Sequence, residues 1–184
     1  MLETATNQIK HEKRVLYGTN ELVEKKISNL KEIEILDSGW TTKYMDTETE
    51  ELWIKYVVDP DRGYFFNLMR IEPAPSTEEL IEISLTSEYP DEVSAAAFRL
   101  HLEEELSNTE FREKLLDRIK QIDLNELSEI EKKRIETIIL AGQLTNRINT
   151  REIIGKKHNE IISDYQNNCR IADEAEIIMR KIKT

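Results

Sequence analysis

The sequence predicts an α+β fold, in which an N-terminal antiparallel β-meander with a short helix precedes an all-α C-terminal bundle of about five helices. Seven of the chain's twelve aromatic residues lie within residues 39–69, where apolar and polar residues alternate, and almost every later segment shows helical spacing. Pro73 and Pro75 mark the change, because closely spaced prolines interrupt regular structure. We therefore expect an α+β module over 1–72 and a helical part over 76–184, packed as one unit.

The N-terminal module should open with a short helix that Thr19 caps and that ends near Leu30. Four segments with strand character follow, namely KEIEIL, GWTTKYMD, ELWIKYVV and GYFFNLMRI. The links between them are short, and DPDRG between the last two is typical of a hairpin turn. Because parallel strands need long crossovers, the strands should pair as an antiparallel meander.

Alternation in ELWIKYVV divides its side chains between the two faces of the sheet. One face should carry Leu52, Ile54, Tyr56 and Val58, and the other Trp53, Lys55 and Val57. The second set is too apolar to remain in water. It must therefore meet either a helix of the same chain or a partner.

The C-terminal part begins with Ser76 and Glu79, which have the spacing of a helix capping box. Pro90 then suits the first turn of a second helix, and Asp91 and Glu92 complement the positive end of its dipole. Two further helical patterns follow, TEFREKLLDRIKQI and ELSEIEKKRIETIILAGQL. These segments predict two pairs of helices, each with a shorter helix before a longer one.

The last helix, expected over about 150–183, carries apolar residues at alternating steps of four and three, which form a heptad seam. The seam includes histidine, asparagine and two alanines, which makes it a poor coiled coil on its own. We therefore expect it to pack within the chain, with Ile161, Tyr165 and Ala172 buried, and the protein to be a monomer.

Composition restricts the partners. The formal net charge is −11, which argues against general binding to DNA or RNA and suits a basic protein partner. No apolar run approaches the length of a membrane span, and the first six residues lack the plan of a signal peptide, so a cytoplasmic location is expected. The single cysteine, Cys169, excludes an internal disulfide and is expected to be a buried thiol.

The sequence contains few candidates for catalysis. His101 with Glu104 and Glu105 could bind a metal on one helix face, but a solvated, charged helix surface explains the same spacing. Asp59 and Asp61 could act as paired carboxylates, but a turn also explains them. No glycine-rich phosphate loop or dinucleotide fingerprint occurs, so we expect no cofactor and no metal site.

Two local resemblances follow from these segments. PDEVSAAAFRL is similar to the second helix of a HEAT-type repeat, and two helix pairs spaced by about forty residues fit that likeness. DSGWTTKYMD followed by ELWIKYVVDPDRGYF resembles the strand module of small bacterial immunity proteins, which neutralise polymorphic toxins. That resemblance implies a protein partner, namely a toxin domain, and covers about thirty residues.

The sequence thus favours a non-enzymatic cytoplasmic protein-binding protein, specifically an immunity protein that masks a basic toxin domain. Acidic turns would steer the partner and aromatic residues would anchor it. The expected contact residues are Asp46, Glu48, Glu50, Glu51, Trp53, Lys55, Asp59, Asp61 and Tyr64. Two alternatives stay open: a hydrolase or other enzyme with a carboxylate or histidine site between sheet and helices, and a helical adaptor or regulatory protein.

Overall fold

A computed structural model describes residues 14–58, 65–149, 151 and 153–183. The strands are β1 (Leu16–Tyr17), β2 (Lys31–Leu36), β3 (Thr41–Met45), β4 (Leu52–Val57) and β5 (Phe66–Glu72). The helices are α1 (Asn20–Ile27), α2 (Thr77–Thr86), α3 (Pro90–Ser107), α4 (Arg112–Lys120), α5 (Glu129–Ala141) and α6 (His158–Ile182). The predicted α+β class is confirmed, with strands in the first part of the described chain and helices α2 to α6 after them.

The five strands form one antiparallel sheet in the order β1-β5-β4-β3-β2. Strands β2 to β5 are the predicted meander, in which each strand pairs with the next along the chain. The sequence did not predict β1, because two residues are too short to show alternation. It pairs with β5 at the edge opposite β2, so Leu16 lies across from Met69.

Helix α1 covers one face of the sheet. Its buried Val23 packs with Tyr17, Tyr44, Trp53 and Leu68, which come from four different strands. Of the two possibilities for the apolar face of β4, the structure has the first: a helix of the same chain covers it. The predicted short helix after Thr19 is confirmed over Asn20–Ile27, and the structure shows that it completes a small second core.

The other face of the sheet packs on the helical part. Leu16, Tyr56 and Met69 belong to one hydrophobic cluster with buried residues of α2, α3, α4, α5 and α6. Ala95, Ala96 and Ala97 of α3 are almost fully buried there, because small side chains permit close approach of the helix. A continuous apolar core thus joins the sheet to the helices.

The predicted starts of α2 and α3 are confirmed, whereas α6 begins at His158 and not near residue 150, and the Thr19 side chain makes no capping hydrogen bond at α1. Ser76 caps α2, with its hydroxyl oxygen accepting the Glu79 amide and its own amide donating to the Glu79 carboxylate. Pro90 occupies the first turn of α3.

The helices pair differently from the two expected HEAT-like hairpins. Helix α2 packs on α3, as the first HEAT-like pair would. Helix α4, however, packs chiefly on α6, and α5 packs on α3. The second of the two expected HEAT-like pairs therefore does not form a hairpin.

Two acidic residues at the start of α3 tie β1 to the helical part. The Glu92 carboxylate accepts hydrogen bonds from the amides of Val15 (2.9 Å) and Leu16 (3.2 Å), and the Asp91 carboxylate accepts one from the Gly18 amide (3.1 Å). Glycine is needed at position 18, because a Cβ atom there would lie 2.3 Å from the Asp91 carbonyl oxygen. These carboxylates thus accept the hydrogen bonds that a neighbouring strand would otherwise accept from the backbone amides at and beside β1.

Arg14 completes this attachment. Its guanidinium donates to Asp91 at 2.5 Å and lies 4.3 Å from the ring centres of both Tyr17 and Tyr89. The charge is buried, but it is paired with a carboxylate and stacked between two aromatic rings, which compensates for much of its lost hydration.

Helix α6 changes its environment along its length. Asn168, Ala172, Ala175 and Ile182 of the heptad seam are buried. The earlier seam positions are not: Tyr165 is 56% exposed, and Ile161 is only half-buried. The expectation that Ile161 and Tyr165 are core residues is therefore wrong, and that for Ala172 is confirmed. The physical reason is that α4 and α5 support only the second half of this helix. Cys169, expected to be buried, is partly exposed.

We predict that Glu92→Ala lowers the free energy of unfolding by about 2–4 kcal/mol, because two buried amides lose their acceptor. Urea unfolding followed by circular dichroism measures this change. The matched control is Glu88→Ala, on an exposed carboxylate nearby, which should change stability by less than about 0.5 kcal/mol. Equal effects of the two substitutions would contradict the role given to Glu92.

We predict that Ile171→Ala, in the buried half of α6, destabilises the protein by about 2–5 kcal/mol. The control is Ile162→Ala in the same helix, where the side chain is exposed and the loss should stay below about 1 kcal/mol. Thermal unfolding over a range of protein concentrations measures both. If the unfolding midpoint rose with protein concentration in the wild type but not in Ile162→Ala, the first half of α6 would instead pack between copies of the chain.

Candidate functional site

The acidic turn between β3 and β4 is held by its own hydrogen bonds. The Asp46 carboxylate accepts the amides of Glu48 (3.0 Å) and Thr49 (3.4 Å) and pairs with the Lys26 ammonium at 3.3 Å. Glu51 pairs with Arg70 at 3.0 Å. The side chains of Glu48 and Glu50 are exposed. Of the four acidic residues expected here, two are engaged within the chain and two are free to face solvent.

The ionisation of Asp46 is part of the turn's structure. Partial burial opposes the charge of this carboxylate, but the Glu48 amide, the Lys26 ammonium and the Thr49 amide together hold its pKa below the usual range. A carboxylate that accepts amide hydrogen bonds is stabilised in its charged form. Asp46 therefore fixes the shape of the turn and is not available as a free partner contact.

Trp53 does not lie on an accessible surface. The side chain is 1% exposed, its ring centre lies 5.9 Å from that of Tyr17, and the Lys26 ammonium sits 5.0 Å from its ring centre. The interpretation of Trp53 as a partner anchor does not fit this position, because α1 already covers it. Replacing Trp53 would damage the second core before it affected any binding.

Lys55 is also engaged within the chain. Its ammonium lies 3.6 Å from the Glu24 carboxylate of α1 and 4.8 Å from the ring centre of Phe66. The side chain thus bridges β4 and α1, and it offers a partner only its partly exposed edge.

Asp59, Asp61 and Tyr64, also expected as partner contacts, lie outside the described residues. The strand before them is described: Glu51 precedes β4 and Val58 follows it, and six strand residues span roughly 17 Å. Val58 therefore lies at the opposite end of β4 from the β3–β4 turn.

A groove of about 750 Å³ opens at this second end of β4, and we call it the sheet-end groove. Its walls come from the end of β2 and the turn into β3, from β4, and from the second half of α3. The lining residues are Leu36, Asp37, Ser38, Trp40, Thr41, Ile54, Tyr56, Val57, Arg99, Leu102 and Leu106. The second half of α3 forms the wall opposite β4, where the Arg99 guanidinium lies 5.5 Å from the centre of the Tyr56 ring.

Aromatic and aliphatic side chains at the groove remain in water. Trp40 is 44% exposed, Leu106 is exposed on the α3 side, and Phe65 is exposed on the segment that leads into β5. The backbone places Trp40 and Phe65 at the same end of the sheet, since the Val57 amide donates to the Trp40 carbonyl and the Val58 amide to the Phe65 carbonyl. This end therefore combines two exposed aromatic residues with a concave apolar surface.

Tyr56 contributes a polar group to the wall of the groove. Its side chain is buried, and Asn67 and Arg99 lie beside it, but its phenolic oxygen has no hydrogen-bond partner within the part of the chain that the structure describes. Burial raises the pKa of Tyr56, while the positive charge of Arg99 opposes the shift. The phenol therefore remains protonated at neutral pH.

The charges around the groove are mostly paired, with an acidic remainder. Arg99 pairs with Glu103 at 2.9 Å, and His101 lies 3.5 Å from Glu105. Burial lowers the pKa of His101 in spite of Glu105, so the histidine is neutral at pH 7 and leaves the charge of that carboxylate uncompensated. Asp37 has no ion pair to another described residue. Asp37 therefore leaves negative charge on the lining of the groove, where Arg99 is paired with Glu103.

No protein-family model, no curated protein and no solved structure matches this chain. Among the described residues, no three or more histidine, cysteine and acidic side chains are arranged to hold a metal ion. None of the described helices has the length and apolar character needed to cross a membrane.

The sequence reasoning placed Trp40 on a strand but not among the binding residues, and it missed Arg99 and Leu106. The sequence did carry a signal for Trp40, because the glycine before it indicates a turn. In the structure Gly39 has a positive φ of 95° and turns the chain immediately before the tryptophan. Arg99 and Leu106 carried no such signal, since their position depends on how α3 crosses the sheet.

We predict that Asp46→Asn lowers stability at pH 7 by about 1 kcal/mol, because a charged acceptor is lost. The folded-state pKa of Asp46 is depressed, so its contribution is present above the unfolded pKa near 3.8 and disappears as the pH falls through the lower folded value. Urea unfolding of wild type and variant between pH 7 and about pH 2.5 should show the difference shrinking below about pH 4. A difference that stays constant over this range would contradict the prediction, and Glu48→Gln is the exposed control.

Proposed function

We propose that this protein is a non-enzymatic protein-binding protein whose binding site is the sheet-end groove. The observation that carries the proposal is the half-exposed Trp40 at the rim of a concave apolar surface, with Phe65 and Leu106 beside it. Tight protein recognition concentrates aromatic anchors in pockets that charged residues surround. An isolated exposed aromatic residue would mean little, but Trp40 and Leu106 both line this groove, and Phe65 is exposed at the same end of the sheet.

The proposed partner is a basic protein. The net charge of −11 favours the approach of an oppositely charged molecule, and Asp37 leaves negative charge on the lining of the groove itself. Opposite charges raise the association rate above the roughly 10⁵–10⁶ M⁻¹s⁻¹ of unsteered association. Glu48 and Glu50, at the other end of β4, contribute only to the long-range field.

More specifically, the protein would be an immunity protein that masks a basic toxin domain in the cytoplasm. The resemblance of the strand module supports this proposal, since its Gly-Trp pair corresponds to Gly39 and Trp40, and Trp40 lies at the groove. The protein would act as a monomer, without nucleic acid, membrane or cofactor, and inhibit by covering the toxin's basic surface.

A second candidate function is that of a helical adaptor, and α6 is the observation that favours it. Ile154, Ile162 and Tyr165 are exposed along the first half of the helix and its approach, on or beside the heptad seam. A partner helix could lie against these residues as in other helix-in-groove complexes.

The test compares capture by immobilised wild type and by Trp40→Ala from a lysate of the native host, with quantitative mass spectrometry. One basic protein should be enriched on wild type and bind at least about tenfold more weakly to Trp40→Ala, as expected when an anchor is removed. The control is the double variant Glu48→Gln and Glu50→Gln at the opposite end of β4, which should retain the partner.

The opposite pattern, with binding lost in the double variant and kept in Trp40→Ala, would move the site to the acidic turn. For the immunity proposal, the captured protein expressed alone should stop growth, and co-expression of the wild-type chain should restore it. A captured protein without toxicity would contradict that specific role while leaving protein binding intact.

A further inference from the structure

We infer that β2 is the strand to which an extended basic segment of the partner adds, as an additional antiparallel or parallel strand of the sheet. This inference rests on the proposed function, because the end of β2 forms part of the sheet-end groove. It adds the mode of binding and the chemistry of the bound segment.

The first observation is the position of β2 in the sheet. Within the described residues it pairs with β3 alone and ends the strand order β1-β5-β4-β3-β2. In such an edge strand, alternate residues direct their amide and carbonyl groups away from the sheet. β1, at the other edge, has the carboxylates of Asp91 and Glu92 against it, whereas among the described residues no carboxylate accepts a hydrogen bond from the β2 backbone.

The second observation is the exposure of apolar residues on this edge. Ile33 is 49% exposed and Ile35 is 59% exposed, and the residues between and before them are glutamates. Charged residues and bulges are the devices that protect an edge strand from aggregation. β2 has both devices, since Glu32 and Glu34 flank a bulge, yet it keeps two isoleucines in water. Isoleucines at these positions suit contacts with the side chains of an added strand.

The charges decide which segment fits. Glu32 has no ion pair with another described residue, and the ion pair of Glu34 with Lys43 is exposed on both sides. Cross-strand pairs of opposite charge stabilise a sheet, whereas like charges oppose pairing. The bound segment should therefore alternate lysine or arginine with apolar residues.

A second copy of this chain is a poorer occupant. Antiparallel pairing of two β2 strands around Ile33 would set Glu32 against Glu34 of the other copy, and pairing around Glu34 would set that residue against itself. Each copy also carries a net charge of −11. Both factors oppose self-pairing.

The edge and the groove form one continuous surface. β2 ends at Leu36, which lines the groove, and Asp37 and Trp40 follow directly. A segment that pairs with β2 would therefore reach the groove at one of its ends, where an apolar side chain can lie against Trp40. Main-chain hydrogen bonds would supply affinity and the alternating side chains would supply specificity, as in other strand-addition complexes.

The experiment uses the full-length protein and a short acetylated, amidated peptide that alternates lysine and valine. Titration followed by NMR should shift the amide signals of Lys31–Leu36, and hydrogen exchange should slow within β2. A second peptide of the same charge, with N-methylated valines that cannot donate hydrogen bonds, should bind about tenfold more weakly or worse. Equal binding of the two peptides would overturn the inference, because charge alone would then explain the affinity.

Two protein variants complete the test. Ile35→Lys should weaken binding of the unmodified peptide at least about tenfold, whereas the matched control Ile148→Lys, an exposed isoleucine after α5, should leave it unchanged. Equal losses in both variants would also overturn the inference. If Trp40→Ala abolishes capture of the partner while Ile35→Lys retains it, strand addition fails and the proposed function stands. If both variants retain the partner, the groove itself is the wrong site.

Discussion

The hydrogen bonds from the β1 backbone to the carboxylates of Asp91 and Glu92 set the arrangement of the two layers. Because the first turn of α3 is attached at β1, this helix starts beneath one edge of the sheet and crosses toward β4. The close approach at Gly18 leaves little freedom in this attachment. The position of α3 also fixes the helices that pack on it, so one local contact determines which part of the sheet the helices cover and which part they leave exposed.

The open side has a direct consequence for binding. Helix α1 packs over the strands that carry Trp53 and Leu68, whereas five of the six residues of β2 are exposed. Apolar residues on this side, including Trp40 and Ile35, consequently remain in water. Exposed apolar surface carries a free-energy cost that a protein partner can remove. The groove and the strand edge are thus two parts of the same incompletely covered sheet.

The distribution of charge follows a different rule. The chain is strongly acidic, but many carboxylates have structural partners: Asp46 holds a turn, Glu92 holds β1, and buried Glu104 pairs with Arg112 at 2.6 Å. Arg112 in turn donates to the carbonyl oxygens of Gln143 and Asn146 after α5. A large negative total therefore does not identify a binding surface. What distinguishes the groove is negative charge next to exposed aromatic residues.

The sequence by itself determined the α+β class, the antiparallel pairing of β2 to β5 and the starts of α2 and α3, because hydrophobic period, turn residues and helix caps are local properties. It also placed Trp53 on the opposite face of β4 from Ile54 and Tyr56, as the two hydrophobic clusters have them. Only the tertiary structure decided that α1 buries Trp53, that Tyr165 is exposed and that Trp40, Tyr56 and Leu106 meet at one groove. These positions depend on contacts between residues far apart in the chain, and the alternation that predicts two faces cannot show which of them a helix covers.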